Sequence, residues 1–531
     1  MTWLRVPEPP SFQQVTFRRQ VIAEARFAPD GQTVIYGAAG EGRRNRMFSA
    51  RLGNPEVQPL DLPEGDIAAV SASGEMAIVL GRSYEGRRPG RLARVSLSGG
   101  APRELLEQVA VADWGRDGRE LAVVRLDGPK PRLEFPIGKV LYTSDTWISS
   151  LRVSPKGDRV AFVERAPDGP GVMIRVVDSS GKANTLATSS DSPLGIPWSP
   201  NGDEVWFSEW GVLRAVSLSG ERRILTRVPG PITLNDVSRD GRALVTMAQW
   251  HESIVVAGPG ETKGRDLSWF ERAQLVALSP DGTALLFNDR GHGTDAAPHI
   301  ELHSYLRRTD GSPAVRLGEG QALSLSPDAQ WAIAVLPGSR KRWLLLPTGP
   351  GEPRPLPVGP LECGHASWFP DGRRLLLACN EPGRPFRLYV QDLEGRERRA
   401  ITPEGLGGFF GEVSPDGELV VAADRQHQTV IFPVEGGGPR PVPGIGPQEI
   451  AVGWGADSQS LYVHPLDGDL PVRIDALDLR SGRRERFKEI TPPDLQAFSG
   501  IRRIVVAPGG RAYAYQYGQY LCILYVIEGL R

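Results

Sequence analysis

The sequence predicts an all-β fold made of twelve copies of one small antiparallel sheet. Apolar stretches of five or six residues, the length of a β-strand, recur along the whole chain. A Ser-Pro-Asp-Gly turn or a close relative follows each of them and leads into a second apolar stretch. No segment shows a helical period of useful length. Together these observations predict hairpins repeated from one end of the chain to the other.

The chemistry of the repeated turn supports a tight hairpin. Proline presets φ at the second turn position, aspartate forms local hydrogen bonds, and glycine accepts a positive φ. The twelve turn segments begin at Phe27, Ser71, Trp114, Val153, Trp198, Val237, Leu278, Leu325, Trp368, Val413, Trp454 and Val506. Calcium binding by these aspartates is not indicated, because the turns lack the dense ligand spacing of a calcium loop.

The spacing of the turns identifies the repeat. Between Gly31 and Gly510 it averages about 44 residues, the period of a four-stranded propeller blade. Third and fourth strands follow in most units, as in the run from Arg387 to Thr402. Because a propeller has four to eight blades, twelve predict two tandem six-bladed β-propellers. A long array of β-sandwiches is the alternative.

The domain boundaries follow from closing each ring. Residues 1–11 are Pro-rich and predict a linker, with the first propeller over 12–260 and the second over 261–531. We expect Gln13–Arg19 to complete the sixth blade, whose third strand is Ser253–Ala257. Arg265–Phe270 would complete the twelfth, whose third strand is Leu521–Ile527. Alternatively, Arg265–Phe270 stays in the sixth blade and the N-terminal strand closes the twelfth, which interleaves the rings.

Composition excludes several classes of protein. The net charge is −1, so no basic surface field favours nucleic acid. Three cysteines are too few for a disulfide scaffold. No apolar run reaches the roughly 18 residues of a membrane span, and the first residues lack a signal-peptide core. We therefore expect no nucleic-acid partner and no membrane insertion by this chain.

Known catalytic motifs are absent from the sequence, including Gly-x-Ser-x-Gly, His-Glu-x-x-His, a Walker loop and the protein-kinase set. We accordingly predict no catalytic residues, no cofactor and no enzyme activity. The one constellation with metal-ligand chemistry is His292, His299, Glu301 and His303. An extended backbone would place the last three on one face, where they could hold a transition metal. A solvated strand face is the simpler interpretation.

Two further groups are candidates for function. Tyr513, Tyr515 and Tyr517 alternate and share one face, which predicts either a core strand or a binding surface. Cys363 and Cys379 flank one hairpin symmetrically. They would form a disulfide, share a metal with His365, or remain buried thiols.

At the level of the whole chain, the repeat resembles the WD-repeat-like propellers of the TolB-like kind. Three runs narrow this resemblance: RRQVIAEARFAPDGQTVIYGAA from Arg18, RLEFPIGKVLY from Arg132, and LYVQDLEG from Leu388 with RRAITPEG after it. They resemble the C-terminal propeller region of bacterial membrane-bound serine/threonine protein kinases. That resemblance implies a sensor region outside the cytoplasm, in the periplasm or at the cell surface. The kinase motifs themselves are absent here, and the lack of a signal peptide leaves a cytoplasmic location open.

These observations favour a non-catalytic module that binds a protein, a peptide or a small ligand at a propeller face, acting as a monomer. One alternative is a propeller enzyme of the lactonase, lyase or hydrolase type with a metal in the channel mouth. Another is an envelope assembly protein of the TolB-like kind.

Overall fold

The computed structural model describes residues 9–18, 20–39, 45–81, 89–167, 171–189, 195–289, 302–338, 341–406, 411–424, 426, 428–446, 449–466 and 470–530. Within these ranges the regular structure consists of β-strands and one 3-10 turn, Pro508–Gly510. In the described part of the chain there is no helix with the length and hydropathy of a membrane span.

The chain divides into two compact units. The first comprises the residues up to Trp250, together with Asp494–Ser499 and the residues from Gln519 onward. The second comprises His251–Pro493 and Gly500–Gly518. The expected continuous ranges 12–260 and 261–531 therefore do not describe the units, because the C-terminal residues belong to the first.

The first half of the chain supplies 21 strands. They are β1 (Ser11–Gln14), β2 (Val21–Phe27), β3 (Thr33–Ala39), β4 (Arg46–Arg51), β5 (Val57–Pro59), β6 (Gly65–Val70), β7 (Glu75–Leu80), β8 (Gly90–Ser96), β9 (Arg103–Trp114), β10 (Leu121–Arg125), β11 (Arg132–Glu134), β12 (Val140–Thr143), β13 (Ile148–Val153), β14 (Arg159–Arg165), β15 (Val172–Asp178), β16 (Ala183–Ser189), β17 (Glu204–Glu209), β18 (Val212–Ser217), β19 (Arg222–Arg227), β20 (Ile232–Val237) and β21 (Ala243–Ala257).

These strands form the blades of the first unit in chain order. Blade 1 is the sheet β2-β3-β4-β5, and blade 4 is β13-β14-β15-β16. The long strand β9 ends blade 2 and begins blade 3 in the continuous sheet β6 to β12. Blade 5 is β17-β18-β19, with an inner bridge between Trp198 and Val205.

The second half of the chain supplies the remaining strands. They are β22 (Arg265–Asp266), β23 (Ala273–Leu278), β24 (Ala284–Asp289), β25 (His303–Arg308), β26 (Val315–Glu319), β27 (Gln321–Leu325), β28 (Trp331–Leu336), β29 (Arg342–Pro347), β30 (Arg354–Pro355), β31 (Glu362–Trp368), β32 (Arg374–Asn380), β33 (Arg387–Asp392), β34 (Arg398–Ala400), β35 (Gly411–Val413), β36 (Leu419–Ala423), β37 (Thr429–Pro433), β38 (Arg440–Pro441), β39 (Glu449–Trp454), β40 (Ser460–Pro465), β41 (Val472–Asp478), β42 (Arg484–Ile490), β43 (Phe498–Val506) and β44 (Tyr513–Glu528). Strands β23 to β42 form five successive four-stranded antiparallel sheets, blades 7 to 11.

Two long strands, β21 and β44, complete the last blade of each unit. In the first unit, blade 6 consists of β20, β21 up to Trp250, β44 from Gln519, and β1. The rings of Trp250 and Tyr520 lie 5.5 Å apart there. In the second unit, blade 12 consists of β43, the start of β44, the end of β21, and β22. Each unit is therefore a six-bladed propeller.

The predicted outer closing segments lie in the expected blades, although the strands cover only Ser11–Gln14 and Arg265–Asp266, whereas the predicted third strands were wrong. β1 is the outer strand of the sixth blade, with Ser11 opposite Glu528, so the strand begins inside the expected linker. β22 is the outer strand of the twelfth, with Asp266 opposite Val255. The segments expected as third strands, Ser253–Ala257 and Leu521–Ile527, have exchanged places. The reason is length, because β21 and β44, of 15 and 16 residues, are each long enough to serve both units.

The turn geometry explains the repeated glycine. It adopts a positive φ in each tight turn, for example 66° at Gly372. Two turns lack the glycine, and there Ala329 and Ser458 hold a φ of 56° in its place. A side chain with a Cβ is strained in that region. The local turn is thus imposed by the pairing of the flanking strands at these two positions.

Apolar side chains fill the space between neighbouring sheets. In the first unit, Leu524 and Val526 of β44 are fully buried beside Val34 and Tyr36 of blade 1. In the second, one such cluster includes Phe287 and Leu285 of blade 7 with Ala514 of blade 12. The hydrophobic core of each unit therefore lies between neighbouring blades around the ring, and the inner strands border the central channel.

Candidate functional site

A cavity of about 460 Å³ opens in the second unit. Its walls are the inner strands of blades 7, 8, 9 and 12, represented by Gln274, Gln321, Gly364 and Arg503. Inner strands of a propeller surround its central channel, so the cavity is part of that channel. Lys341, between the second and third strands of blade 8, also lines it, which places the cavity at the face where the inner strands begin.

Irregular pairing shapes the cavity wall. The register between the first two strands shifts at Leu275/Ala277, at Ala322/Ser324 and at Cys363/His365. The residues inside these shifts, Val276, Leu323 and Gly364, all line the cavity. A β-bulge bends a strand and redirects its side chains. The same local irregularity therefore recurs in three neighbouring blades and forms the wall.

Ionisable side chains lie close together at this site. Arg503 interacts electrostatically with both His365 and Glu412. Burial raises the pKa of the Glu412 carboxyl, and Arg503 partly offsets that rise. Burial likewise lowers the pKa of Arg503, with Glu412 opposing. Protein atoms surround the Glu412 carboxyl, which accounts for its raised pKa, while the residue keeps contact with the water of the channel.

His365 is a neutral hydrogen-bonding group at pH 7. Burial, reinforced by the charge of Arg503, lowers the pKa of His365 to about 4. Only 8% of this residue is exposed, and it contributes to the cavity wall. Lys341 lies at the rim, where its Nζ donates a hydrogen bond of 3.3 Å to the carbonyl oxygen of Cys363.

Cys363 and Cys379 form a disulfide across the first two strands of blade 9. Their positions are directly opposite in the register, and both residues are buried. Of the three possibilities drawn from the sequence, the disulfide is thus the one observed. Cys363 also lines the cavity, so the disulfide fixes one part of its wall.

The channel of the first unit contains a different set of charges. Buried Arg26 and Arg152 both direct a guanidinium nitrogen at the carbonyl oxygen of Asn235, at 3.4 and 2.9 Å. Asp113 accepts a hydrogen bond of 2.8 Å from the backbone nitrogen of Val153 in the next blade. Burial lowers the pKa of Arg152, while Asp113 opposes that change. These groups connect blade 6 with blades 1 and 4, and blade 3 with blade 4, which is a structural role.

Most of the predicted metal constellation lies outside the described residues, namely His292, His299 and Glu301. His303 is half-buried in β25, opposite Asp289 on one side and Glu319 on the other. Among the residues that the structure describes, no group of three or more His, Cys, Asp or Glu side chains is placed to hold a metal ion. The metal site therefore stays a prediction.

The predicted tyrosine surface lies in the core. Tyr513, Tyr515 and Tyr517 are between 2% and 7% exposed. The rings of Tyr515 and Tyr517 pack 6.3 Å apart, and the Tyr515 hydroxyl lies 3.4 Å from the carbonyl oxygen of Thr491. This burial leaves almost no side-chain area for a partner, because the strand lies inside the second unit.

Sequence reasoning missed the charged residues of the channels, although the repeat contained a signal. In five repeats a charged residue immediately precedes the last residue of the inner strand: Arg26, Asp113, Arg152, Asp236 and Glu412. A charge in an otherwise apolar strand is a marker of an unusual environment. Aligning the twelve repeats by their turns would have grouped these positions. Arg503 and His365 lie three residues before the end of their strands and follow a second pattern.

Comparison with known proteins adds the following. No protein-family model and no curated protein matches the chain. Among solved structures, it is similar to a protein described as putative TolB from Agrobacterium tumefaciens, with 16% identity, a TM-score of 0.26, and coverage of 63% of this chain and 94% of the other. It is also similar to TolB from Acinetobacter baumannii, with 14% identity, a TM-score of 0.25, and coverage of 77% of this chain and 82% of the other. A third similar structure is the tricorn protease, with 12% identity, a TM-score of 0.26, and coverage of 81% of this chain and 61% of the other. The fold assignment rests on the strand pairing described above.

Proposed function

We propose that the chain is a non-catalytic binding module whose second unit holds a ligand in its channel cavity. The supporting observation is the cavity of about 460 Å³, which falls in the size range of ligand pockets. Its lining combines apolar walls with a few polar groups, including Arg503, His365 and Gln321. That combination is typical of sites that bind and orient a small molecule or the end of a peptide.

The chemistry of the cavity favours binding over catalysis. The described lining offers fixed cations and amides, and the charge of Arg503 disfavours protonation of its one histidine, His365. A general base near neutral pH needs a pKa near 7, and burial moves that of His365 to about 4. The alternative of a metal-dependent enzyme depends on His292, His299 and Glu301, which lie outside the described residues.

We further propose that the chain works outside the cytoplasm as a sensor module. The Cys363–Cys379 disulfide supports this, because disulfides persist mainly in oxidising compartments. The resemblance of the sequence to the propeller region of membrane-bound kinases points the same way. In that setting, the ligand of the second unit would be the signal that the module detects.

A cavity-filling variant tests the binding proposal. The purified chain is incubated with a mixed library of short peptides and small metabolites, and retained compounds are identified by mass spectrometry after gel filtration. Leu323→Trp fills the cavity from its bulged wall, whereas Leu466→Trp adds the same ring at a residue that is 59% exposed in the same unit. We expect compounds retained by the native chain and by Leu466→Trp to be lost from Leu323→Trp. Equal retention by both variants, or no retention by the native chain, would contradict the proposal.

A further inference from the structure

The fixed charges on the cavity wall are cations. Lys341 and Arg503 line the cavity, and no Asp or Glu is among the lining residues that the structure describes. His365 is the remaining ionisable group of the wall and is neutral at pH 7. Lys341 lies at the rim and Arg503 on the inner strand of blade 12. A ligand entering the cavity therefore passes one positive charge and meets a second deeper in the channel.

Apart from these charged groups and the amides of Gln274, Asn288 and Gln321, the wall is mainly apolar. Leu302, Leu323 and Phe386 are half-buried and line the cavity beside the buried Val276. The half-buried side chains keep part of their area open to the cavity, and an apolar group that covered this area would gain free energy. A small inorganic anion would leave them in water, whereas an anion attached to an apolar body would cover them.

We propose that this cavity binds a carboxylate attached to an apolar body, with Arg503 and Lys341 as the contacts of the carboxylate. The inference rests on the proposed function and names the ligand class for the same site. A planar guanidinium matches a carboxylate through two parallel hydrogen bonds, which gives orientation as well as affinity. Two sources carry this chemistry, namely the C-terminus of an apolar peptide and a free fatty acid.

Glu412 is a charged residue that opposes carboxylate binding at Arg503. It interacts electrostatically with Arg503 but does not line the cavity, so it acts through its charge rather than by contact with the ligand. The same charge opposes the approach of a second carboxylate. Removal of the charge in Glu412→Gln is therefore expected to tighten carboxylate binding, opposite to the effect of Arg503→Gln.

Matched acids and amides test the proposal on the full chain. One series is a mixture of apolar tripeptides with free or amidated C-termini, and the other is medium-chain fatty acids with their primary amides. Affinity is measured by calorimetry at low and high salt. We expect the acid to bind about tenfold or more tightly than its amide in one series, with the difference shrinking at high salt. The series that shows this preference identifies the source of the carboxylate.

Variants decide whether Arg503 makes the contact. Arg503→Gln should abolish the preference for the acid, and Lys341→Gln should reduce it. Arg502→Gln is the matched control, because Arg502 is the exposed neighbour in the same strand and does not line the cavity. It should leave the preference unchanged. If Arg503→Gln fails to fold, the opposite shifts expected for Glu412→Gln and Lys341→Gln serve the same purpose.

The outcomes separate this inference from the proposed function. Equal binding of acids and amides, blocked by Leu323→Trp, would overturn the carboxylate and leave the binding module intact. A preference that survives in Arg503→Gln would overturn the assignment of the anion contact. No binding in either series, together with an empty library screen, would overturn both proposals.

Discussion

Because the third strands of blades 6 and 12 are exchanged, a mutation near the C-terminus is predicted to change the stability of the first unit. Leu524 lies near the end of the chain, yet it is fully buried in the first unit beside Val34 and Tyr36. Leu524→Ala is therefore expected to destabilise the unit that contains the N-terminal half of the sequence. The continuous ranges expected from the sequence would instead place the loss in the second unit.

The size of the effect follows from the burial of Leu524. Truncating a fully buried leucine to alanine costs about 2–5 kcal/mol, since an apolar side chain is lost and a cavity remains. For a domain of this size, each kcal/mol lowers the melting temperature by roughly 2–4 °C. A cost of about 3 kcal/mol therefore corresponds to a shift of roughly 6–12 °C in the melting of the first unit.

Scanning calorimetry of the full chain measures this shift against two reference variants. Leu92→Ala changes a fully buried leucine of the first unit, and Leu285→Ala changes one of the second. Leu524→Ala should lower the same transition as Leu92→Ala. If both units melt together, amide exchange in β7 and β28 reports them separately. A loss of protection confined to β28, or to the transition that Leu285→Ala lowers, would refute the strand exchange.

Three further predictions concern the second unit. The Cys363–Cys379 disulfide closes a loop between residues 16 positions apart in the sequence. Replacing both cysteines by serine should therefore lower the free energy of unfolding of the second unit by about 3 kcal/mol, and calorimetry should show a lower melting temperature for that unit only. His365, with its pKa lowered to about 4, takes up a proton in the unfolded chain below about pH 6.5 but not in the folded one. Stability should therefore fall as the pH drops from 6.5 to 4, and His365→Gln should lessen that fall in denaturant titrations; an unchanged slope would contradict it. Ala329→Gly relieves a φ of 56° and should raise the melting temperature of the second unit, whereas Gly372→Ala, at a φ of 66°, should lower it.

The repeat made the fold predictable. A turn that recurs about every 44 residues fixes the blade, and the number of turns fixes the number of blades. The outer closing strands, β1 and β22, were also predictable, because each ring needs an otherwise unpaired segment to complete its last sheet. These conclusions depend on local pattern and on counting, both of which a sequence contains.

The exchange of third strands was not predictable in this way. Both candidate third strands are apolar and of similar length, so either fits either blade. What selects the pairing is that β21 continues beyond Trp250, and β44 continues through Gly518, without forming a turn. From the sequence, each of β21 and β44 was interpreted as two consecutive strands of one blade rather than as one long strand.

The binding cavity was hidden for a related reason. Its wall combines residues as distant as Gln274 and Arg503, which only ring closure brings together. The β-bulges that turn Val276, Leu323 and Gly364 into the channel leave no mark in a single repeat. By contrast, the histidine-rich segment was conspicuous because its residues are close in sequence, a property that says little about proximity around a channel.

The exchanged strands also reverse the order in which a ribosome can complete the two units. Synthesis reaches Gly518 only after every strand of the second unit has been made, and at that stage the sixth blade of the first unit still lacks its third strand. The half of the protein that leaves the ribosome first is thus finished last. Until Gln519 and the residues after it emerge, the sixth blade has an unpaired strand edge. Such an edge can pair with another unfolded chain, and a chaperone that covered it would prevent this.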